Sequence, residues 1–456
     1  MRGRLPDALV LLTACVLLAA AATWVLPAGQ FERREDPEAQ RSVVVAGTYT
    51  RVEQSPVGPF DAFVALPAGM AEAADVIFLV FLIGGAFTVV DETGALRRAM
   101  GSLVRALRGR DLLVIPIVSL FFATGGAAQN MQEEIVPLVP VLLLLARRTG
   151  LTPLVAVAMS AGAAFVGSAF SPINPFQVLI AQRVAGLPPG SGAGLRTVLL
   201  VLATGLWIGL TMRHAQRTRV PAAATAERAE AGPTAASVES DALTGRDRVV
   251  LGIVAAAFLA VVWGLALRGW DFDHLSATFF LAGVAAGLVS GMGLDGTARA
   301  YARGFRDMAY AGLLIGFARA IFVVLDQGRV IDTIVYGVFV PLEGLPRLVS
   351  ALGMVLAQAL VHVPVPSVSS QAVLTMPLLV PLSDLLELSR QVTVLAYQVG
   401  AGLCDMLTPT NGALMAILAA AGVRYDEWLR FVGPLYLALV ALGGVAIWVA
   451  IAVGLS

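Results

Sequence analysis

Two stretches of the chain place proline, asparagine and hydroxyl side chains where a membrane-buried helix would be cheapest without them: "SPINPFQ" at 171 to 177 and "TPTNGAL" at 408 to 414. Pro172 and Pro409 lack an amide hydrogen and clash with the preceding turn, so carbonyls nearby lose their helical partners. Freed carbonyls can coordinate a cation. The half-helices that resume near Pro175 and Gly412 turn exposed amides and a positive dipole end toward the break, which suits a carboxylate. Asn174 and Asn411 add one carbonyl oxygen and one amide each, competent toward either ion, while Ser171, Thr408 and Thr410 add hydroxyls. A proline kink used only for packing explains one such motif equally well. Two at matched positions favour binding.

Charged residues inside apolar segments are costly and usually functional. Arg319, within "GFARAIF", offers a fork to a substrate carboxylate, or else pairs with an acid such as Asp326 or a hairpin glutamate. Glu133 and Glu134 point about 100° apart on a helix, so at most one faces a substrate, and the other meets Arg319 or water. Asp405, one turn before Thr408, can neutralise a cation or a proton, or accept from a backbone amide at the break. His362 can titrate near neutral pH, although a lone histidine is more often a structural hydrogen-bonder.

Other chemistries are excluded. All 31 basic residues are arginine, which removes Schiff-base and lysine-nucleophile chemistry, and the zero net charge argues against nucleic acid. Cys15 and Cys404 sit far apart in apolar sequence, as small hydrophobes do. With three histidines, one in a connector and one in a loop, no nucleophile and base or metal cluster converges, so an enzyme is not expected. No phosphate-binding glycine loop is present, so ATP does not drive this chain.

The elements that position these residues are membrane spans. With 58% hydrophobic and 14% charged residues, a chain of 456 residues cannot clothe a water-soluble surface. Apolar runs predict spans at 8–27, 74–90, 152–186 (interrupted), 194–212, 249–267, 276–293, 309–325, 391–422 (interrupted) and 432–453. "LTAC" at 12 to 15 has the look of a lipoprotein cleavage box, but the apolar run continues past it, so 8–27 reads as a retained span. Arg2 and Arg4, then Arg97, Arg98, Arg105, Arg108 and Arg110, then Arg147 and Arg148, then Arg213, Arg217 and Arg219 put the amino terminus in the cytoplasm and the carboxyl terminus outside. A cytoplasmic (inner) membrane location follows. The loop 28–60 falls outside. Residues 213–247, rich in Ala, Thr, Pro and charge, form a flexible cytoplasmic linker between 1–212 and 248–456.

The two halves read alike. "FLIGGAFTVVDETGAL" matches "LLIGFARAIFVVLDQGRVI", and "GGAAQNMQEEIVPLVP" matches "PSVSSQAVLTMPLLVP", each followed by an apolar segment and a break. The arginine count gives the copies opposite directions across the bilayer. Each half also holds two segments too short for comfortable spans, read as re-entrant hairpins at 111–147 and 346–387, before the broken helices 152–186 and 391–422. The hairpin tips place Gln129, Asn130, Ser369, Ser370 and Gln371 near the midplane, beside the breaks. Irregular backbone at that depth is tolerated around a protein-enclosed or watery cavity. Such an all-α, inverted-repeat architecture is that of a secondary transporter with its site at the midplane. A channel uses similar breaks, but paired inward and outward hairpins suit alternating access better.

"GSAFSPINPFQVLIAQRVAGLP", "GFARAIFVVLDQGRVIDTI" and "SSQAVLTMPLLVPLSDLLELSRQ" resemble the YfcC-type permeases, grouped with the four-carbon dicarboxylate anaerobic carriers of the ion transporter superfamily. The resemblance covers nearly the whole chain. It implies an elevator fold, in which a transport domain slides against a scaffold that forms a homodimer, and secondary transport of a small organic anion or amino acid. Related permeases are assigned as basic amino acid antiporters. In sodium-coupled relatives the tips and breaks carry Ser-Asn-Thr-like signatures, from which these tips depart, so the coupling ion is a proton or sodium, sodium sitting near Asn174 and Asn411. No cofactor is implied. Acids at Glu133, Glu134 and Asp405 burden a dicarboxylate but welcome an amine, so the expected substrate is a basic amino acid, with dicarboxylates or other short anions as the alternative.

Overall fold

The architecture is described from a computed structural model over residues 6–36, 41–96, 98–99, 102, 110–219, 243–268, 270–342 and 344–455. Arg2, Arg4, Arg97, Arg105 and Arg108 of the orientation argument lie outside these residues, as does 220–242 of the expected linker. Among the described residues, eight helices are long and apolar enough to cross a membrane.

Helix α1 (Ala8–Val25) starts on the Asp7 cap, whose carboxylate accepts from Leu9 N at 3.0 Å. The segment after it is not the plain loop of an all-α protein. Short antiparallel pairs join β1 (Gly29–Gln30) to β4 (Thr50–Arg51) and β2 (Arg33–Asp36) to β3 (Arg41–Val44), Arg33 opposite Val44. The β-branched run around Val43 favours extended backbone, and Gly47 supplies a positive φ of 77° between the strands. Then α2 (Pro59–Glu72) leads into α3 (Ala74–Glu92).

The first of the two short segment pairs is α4 (Val114–Gln129), a tip whose Asn130 is left-handed at φ 56°, a 3-10 turn over Glu133–Leu138, and α5 (Val139–Arg148). The first broken helix is α6 (Pro153–Ala169), which widens to a π turn at Ala158–Gly162, followed after the break by α7 (Val178–Val184). Next comes α8 (Ala193–Thr218), whose last turns take the place of the first linker residues. Beyond 242 run α9 (Gly245–Arg268), α10 (Phe272–Ser290) and α11 (Gly293–Gln327). The expected span 309–325 is only the second half of α11, whose 35 residues make about 52 Å of helix, well beyond the roughly 30 Å hydrocarbon thickness. The second half ends with α12 (Ile331–Phe339), α13 (Arg347–His362), α14 (Val368–Leu385), α15 (Arg390–Tyr397) running into a π turn at Gln398–Gly402, α16 (Gly412–Ala421) and α17 (Tyr425–Ala452).

Packing sorts these helices into two groups. α1, α2, α3, α9 and α10 pack with one another or along α11; α4 packs along α6, and α13 to α15 pack around the second π turn and α17. The groups meet where α16 lies on α11 and the 3-10 turn lies on α3. Small residues set the closest approach. A Cβ on Gly126 would stand 2.0 Å from Ala164 O, and one on Gly167 2.0 Å from Ala123 O, so α4 and α6 touch backbone to backbone. That contact fixes the first hairpin tip against the first break.

Candidate functional site

The first break is held by its own side chains. Ser171 Oγ donates to Ala127 O at 2.5 Å and accepts from Asn174 N at 2.9 Å. Asn174 Nδ2 donates to Gly126 O at 2.9 Å, and its Oδ1 accepts from Phe176 N at 2.9 Å and Gln177 N at 3.1 Å. Ser168 Oγ, one turn earlier, donates to Asn130 at the hairpin tip. The break thus docks on the tip of α4, and all of Ser168, Ser171 and Asn174 are buried.

The second break carries charge. Asp405 is 3% exposed and His362 fully buried. His362 Nε2 lies 2.9 Å from Asp405 Oδ1, and Nδ1 lies 2.7 Å from Gln371 Oε1. Asn411 Nδ2 donates to the same Oδ1 at 2.6 Å and to Gln132 Oε1 at 3.0 Å, while Gln132 Nε2 donates to Asp405 Oδ2 at 2.9 Å. Gln371 Nε2 in turn donates to Gln358 O at 2.7 Å. Asp405 therefore gathers the second break, the second hairpin through His362 and the first hairpin through Gln132. Thr408 and Thr410 share a hydroxyl bond of 2.7 Å, and Thr410 Oγ1 donates to Val363 O at 2.7 Å, pinning the tip after α13.

The halves touch at their breaks. Gln398, in the second π turn, donates through Nε2 to Ser171 O at 2.9 Å, and its own carbonyl accepts from Gln177 Nε2 at 3.4 Å. Arg196, 2% exposed on α8, donates through Nε to Gln398 Oε1 at 2.6 Å and through Nη1 to Ser191 O and Gln391 Oε1. Its Nη2 has no partner. π turns loosen the helical ladder and often mark functional positions; here Ala158 O, which takes the backbone bond of Ala163 N–H, also accepts from Trp207 Nε1 at 2.9 Å.

Both electrostatic roles expected of the breaks meet competition. Carbonyls freed near Pro409 accept from Trp428 Nε1 at Met406 O, 2.8 Å, and from Tyr425 at Leu407 O. At the second break Asn411 itself caps the half-helix, its Oδ1 accepting from Leu414 N at 2.9 Å, and at the first Asn174 Oδ1 takes the amides of Phe176 and Gln177 ahead of the helix. The first half-helix begins at Val178 rather than Pro175, because Phe176 and Gln177 are spent on the Asn174 turn.

The remaining expected residues are placed elsewhere. Arg319 pairs with Glu72, Nε to Oε2 at 2.9 Å, rather than with Asp326 or a hairpin glutamate, and stacks over Phe322 at 4.6 Å. Glu134 accepts from Gln132 N at 3.1 Å and, with Gln129, borders a small cavity under Phe258 and Phe279. Glu133 stands beside it on the same turn. Ser369 and Ser370 follow the Ser367 cap of α14, and Ser370 lines a cavity of about 220 Å³ shared with Val365, Asp326, Arg329, Arg33 and Asp332. Asp332 is satisfied by Arg33 Nη2 and Phe31 N, both at 2.9 Å. Among the described residues, Asp326 and Arg329 side chains have no hydrogen-bond or ion-pair partner.

Gln132, Gln177, Gln358, Gln398 and Arg196 were absent from the sequence expectations. The usable signal was a set of amide side chains inside apolar helices, each of which must find a buried partner. Among the described residues, no cluster of His, Cys, Asp and Glu is arranged to hold a metal.

The chain is 33% identical to the Escherichia coli (strain K12) protein named "Putative basic amino acid antiporter YfcC", covering 94% of this chain and 93% of that one. It is 27% identical to an uncharacterized protein of Haemophilus influenzae (strain ATCC 51907 / DSM 11121 / KW20 / Rd), covering 96% of each. Among solved structures it aligns with the Alcanivorax borkumensis YdaH transporter over 98% of this chain and 99% of that one, at 19% identity and a TM-score of 0.44. Neisseria gonorrhoeae MtrF, described as illuminating a class of antimetabolite efflux pumps, aligns over 97% and 95% at 16% identity and a TM-score of 0.40. The C4-dicarboxylate anaerobic carrier (DcuC) profile matches residues 5–452, and the chain is therefore a member of that membrane transporter family.

Proposed function

We propose that this transporter is a secondary carrier of a small amino acid, basic at its side chain, working by alternating access in a cytoplasmic membrane. The observation that carries the reading is the cavity beside the α14 start. It offers an exposed guanidinium, Arg329, and an exposed carboxylate, Asp326, neither hydrogen-bonded nor ion-paired to protein among the described residues. A zwitterion satisfies both at once: its carboxylate matches the Arg329 fork and its amine the Asp326 charge. Ser370 adds a hydroxyl at the hairpin tip.

Alternating access is supported by the local likeness of the two breaks, and the arginine distribution makes the copies inverted. In this reading α1 to α3 and α9 to α11 form a scaffold, which also carries a homodimer contact, and the hairpins with the broken helices form the moving part. The family's description favours a second reading, transport of a four-carbon dicarboxylate. There Arg329 and Arg33 would take the two carboxylates, with Asp326 opposing them.

Uptake into proteoliposomes separates the two. Saturable uptake of arginine and ornithine, competing with one another, is the expected result; saturable uptake of succinate and malate alone replaces the amino acid reading with the dicarboxylate one.

A further inference from the structure

The hydrogen bonds around Asp405 can be oriented atom by atom, because they end on backbone groups that have no choice of role. Gln358 O is a carbonyl and only accepts, so the Gln371 atom facing it at 2.7 Å is the amide nitrogen. Gln371 Oε1 is then the atom 2.7 Å from His362 Nδ1, and Nδ1 must carry a hydrogen. At the other end, Leu414 N–H only donates, so Asn411 turns its oxygen there and its nitrogen to Asp405 and Gln132. Gln132 Oε1 accepts from Asn411, which leaves Gln132 Nε2 donating to Asp405 Oδ2.

One contact remains, His362 Nε2 to Asp405 Oδ1 at 2.9 Å. With Nδ1 already protonated, a neutral imidazole and an ionised carboxylate would set two lone pairs against each other. The contact needs one more proton, held either as imidazolium and carboxylate or as imidazole and carboxylic acid. The ionised pair carries a desolvation cost in a site this buried, offset only by the bonds just described. Either form is one proton above the state in which His362 and Asp405 repel and part.

We propose that the His362–Asp405 pair is the carrier's proton-coupling site, loaded with one proton when the second hairpin is latched to the second break and empty when the latch opens. The inference rests on the transporter reading and deepens it by naming the coupling ion and where it binds. The proton enters from water on one side, sits between Nε2 and Oδ1, and leaves to water on the other. The surroundings fit a single charge change. Ser168 stands where Asp405 would be in the first half, so only one break ionises. Around the pair, the titratable groups are Cys404, which donates to Ala359 O; Glu133, with Glu134 and Asp75 beyond it; and, near Cys404, Tyr425 and Tyr436. Among the described residues, no arginine pairs with Asp405. Ser370 of the cavity and Gln371 of the network are neighbours at the start of α14, so the proton and the substrate bear on the same hairpin.

The test uses the full chain in proteoliposomes, in sodium-free buffer with the membrane potential collapsed and a pH difference of about one unit imposed in either polarity. One proton moved per substrate then permits about tenfold accumulation. Counterflow of labelled arginine, or of labelled succinate, is measured first without a gradient. Absence of both in the wild type overturns the proposed function with both of its cargoes, and otherwise whichever is exchanged is the cargo. The wild type is expected to accumulate it about tenfold in one polarity. His362→Gln and Asp405→Asn are expected to lose gradient-driven accumulation. Exchange without any response to the pH gradient in the wild type, or variants that accumulate like the wild type, overturns the proton site alone. Should both variants fail to exchange, Gln371→Leu decides. It frees the imidazole to protonate at Nε2 alone and bond an ionised Asp405, so the pH profile of accumulation shifts; an unchanged profile overturns the proposal.

Discussion

Asn174 and Asn411 make the same bond. Each turns its Oδ1 to the backbone N–H three residues on, Gln177 at 3.1 Å and Leu414 at 2.9 Å; for Asn411 this caps α16, and for Asn174 it closes a turn that ends just before α7. At the same spacing in sequence, Thr152 caps α6 and Ser389 caps α15, and Gly150 and Glu387 are both left-handed, with φ of 71° and 50°. Related local geometry thus extends from the turn before each broken helix to the asparagine turn after it. The side-chain nitrogens differ in what they hold: Asn174 fixes a backbone carbonyl of the hairpin, and Asn411 fixes the Asp405 carboxylate.

Asn411→Ala removes a cap worth about 0.5–2 kcal/mol, Asn174→Ala removes the side chain that closes the first break, and both leave buried groups unpaired. Asn174→Ala and Asn411→Ala are both expected to reach the membrane at wild-type abundance and to abolish uptake. Asn411→Ala also releases Asp405 and Gln132, so it should lower the melting temperature further. Normal uptake in both variants would make the breaks structural.

The cavity charges predict opposite selectivities. Arg329→Gln should raise KM for every carboxylate substrate, whereas Asp326→Asn should raise it for amine-bearing substrates and leave diacids equal or better. A lost charge-assisted bond is worth roughly 1.5–3 kcal/mol, or about ten- to a hundredfold in KM. Competition between arginine and succinate in the two variants reads this directly. Equal effects of both substitutions on both substrates would remove the cavity from the substrate path.

The breaks and short segments were legible because proline, glycine and amide residues interrupt apolar runs, and interruption is a local signal. The strands at 29–51 and helix α2 were not, since 28–60 reads only as an external loop and 61–73 as no element before the span at 74. Arg319 illustrates the harder limit. Its mid-span position marks it as costly, but Glu72 sits far away in sequence at the end of α2, and nothing local shows that the two meet. Asp405 and His362 were each visible as ionisable groups in apolar sequence, while their pairing, and the glutamines that orient it, depend on three segments folding onto one point.

Asp247 gives stability a pH dependence at the start of α9. Its carboxylate accepts from Arg98 Nε at 2.7 Å and Nη2 at 2.6 Å and from Thr244 N at 2.8 Å, bonds that hold it well below the usual carboxylate range, Arg98 first. A depressed folded value means the contribution is complete above the unfolded value of about 3.9 and is lost as pH falls from there through the folded value. Purified wild type should melt at a constant temperature from neutral pH down to about 5 as far as this group is concerned, then less stably below about 4. Asp247→Asn should melt lower at neutral pH and approach the wild type in acid. A constant difference between the two across that range would exclude the linkage.

The contact of α4 with α6 has no slack to absorb a methyl group. A Cβ at Gly126 or Gly167 would meet backbone oxygen at 2.0 Å, and backbone, unlike a side chain, cannot rotate away. Gly126→Ala and Gly167→Ala must therefore push the first hairpin from the first broken helix, at a cost of about 1–3 kcal/mol for overpacking. The same movement carries Gly126 O away from Asn174 Nδ2 and Ala127 O away from Ser171 Oγ, so uptake should fall together with melting temperature. Gly205→Ala and Gly209→Ala on α8 are the controls, since a Cβ at either position meets open space, and alanine there should gain roughly 0.5–1 kcal/mol of helix stability. Wild-type melting and uptake in the Gly126 and Gly167 variants would mean that the hairpin is not held by this contact, and the docking of tip on break would need another cause.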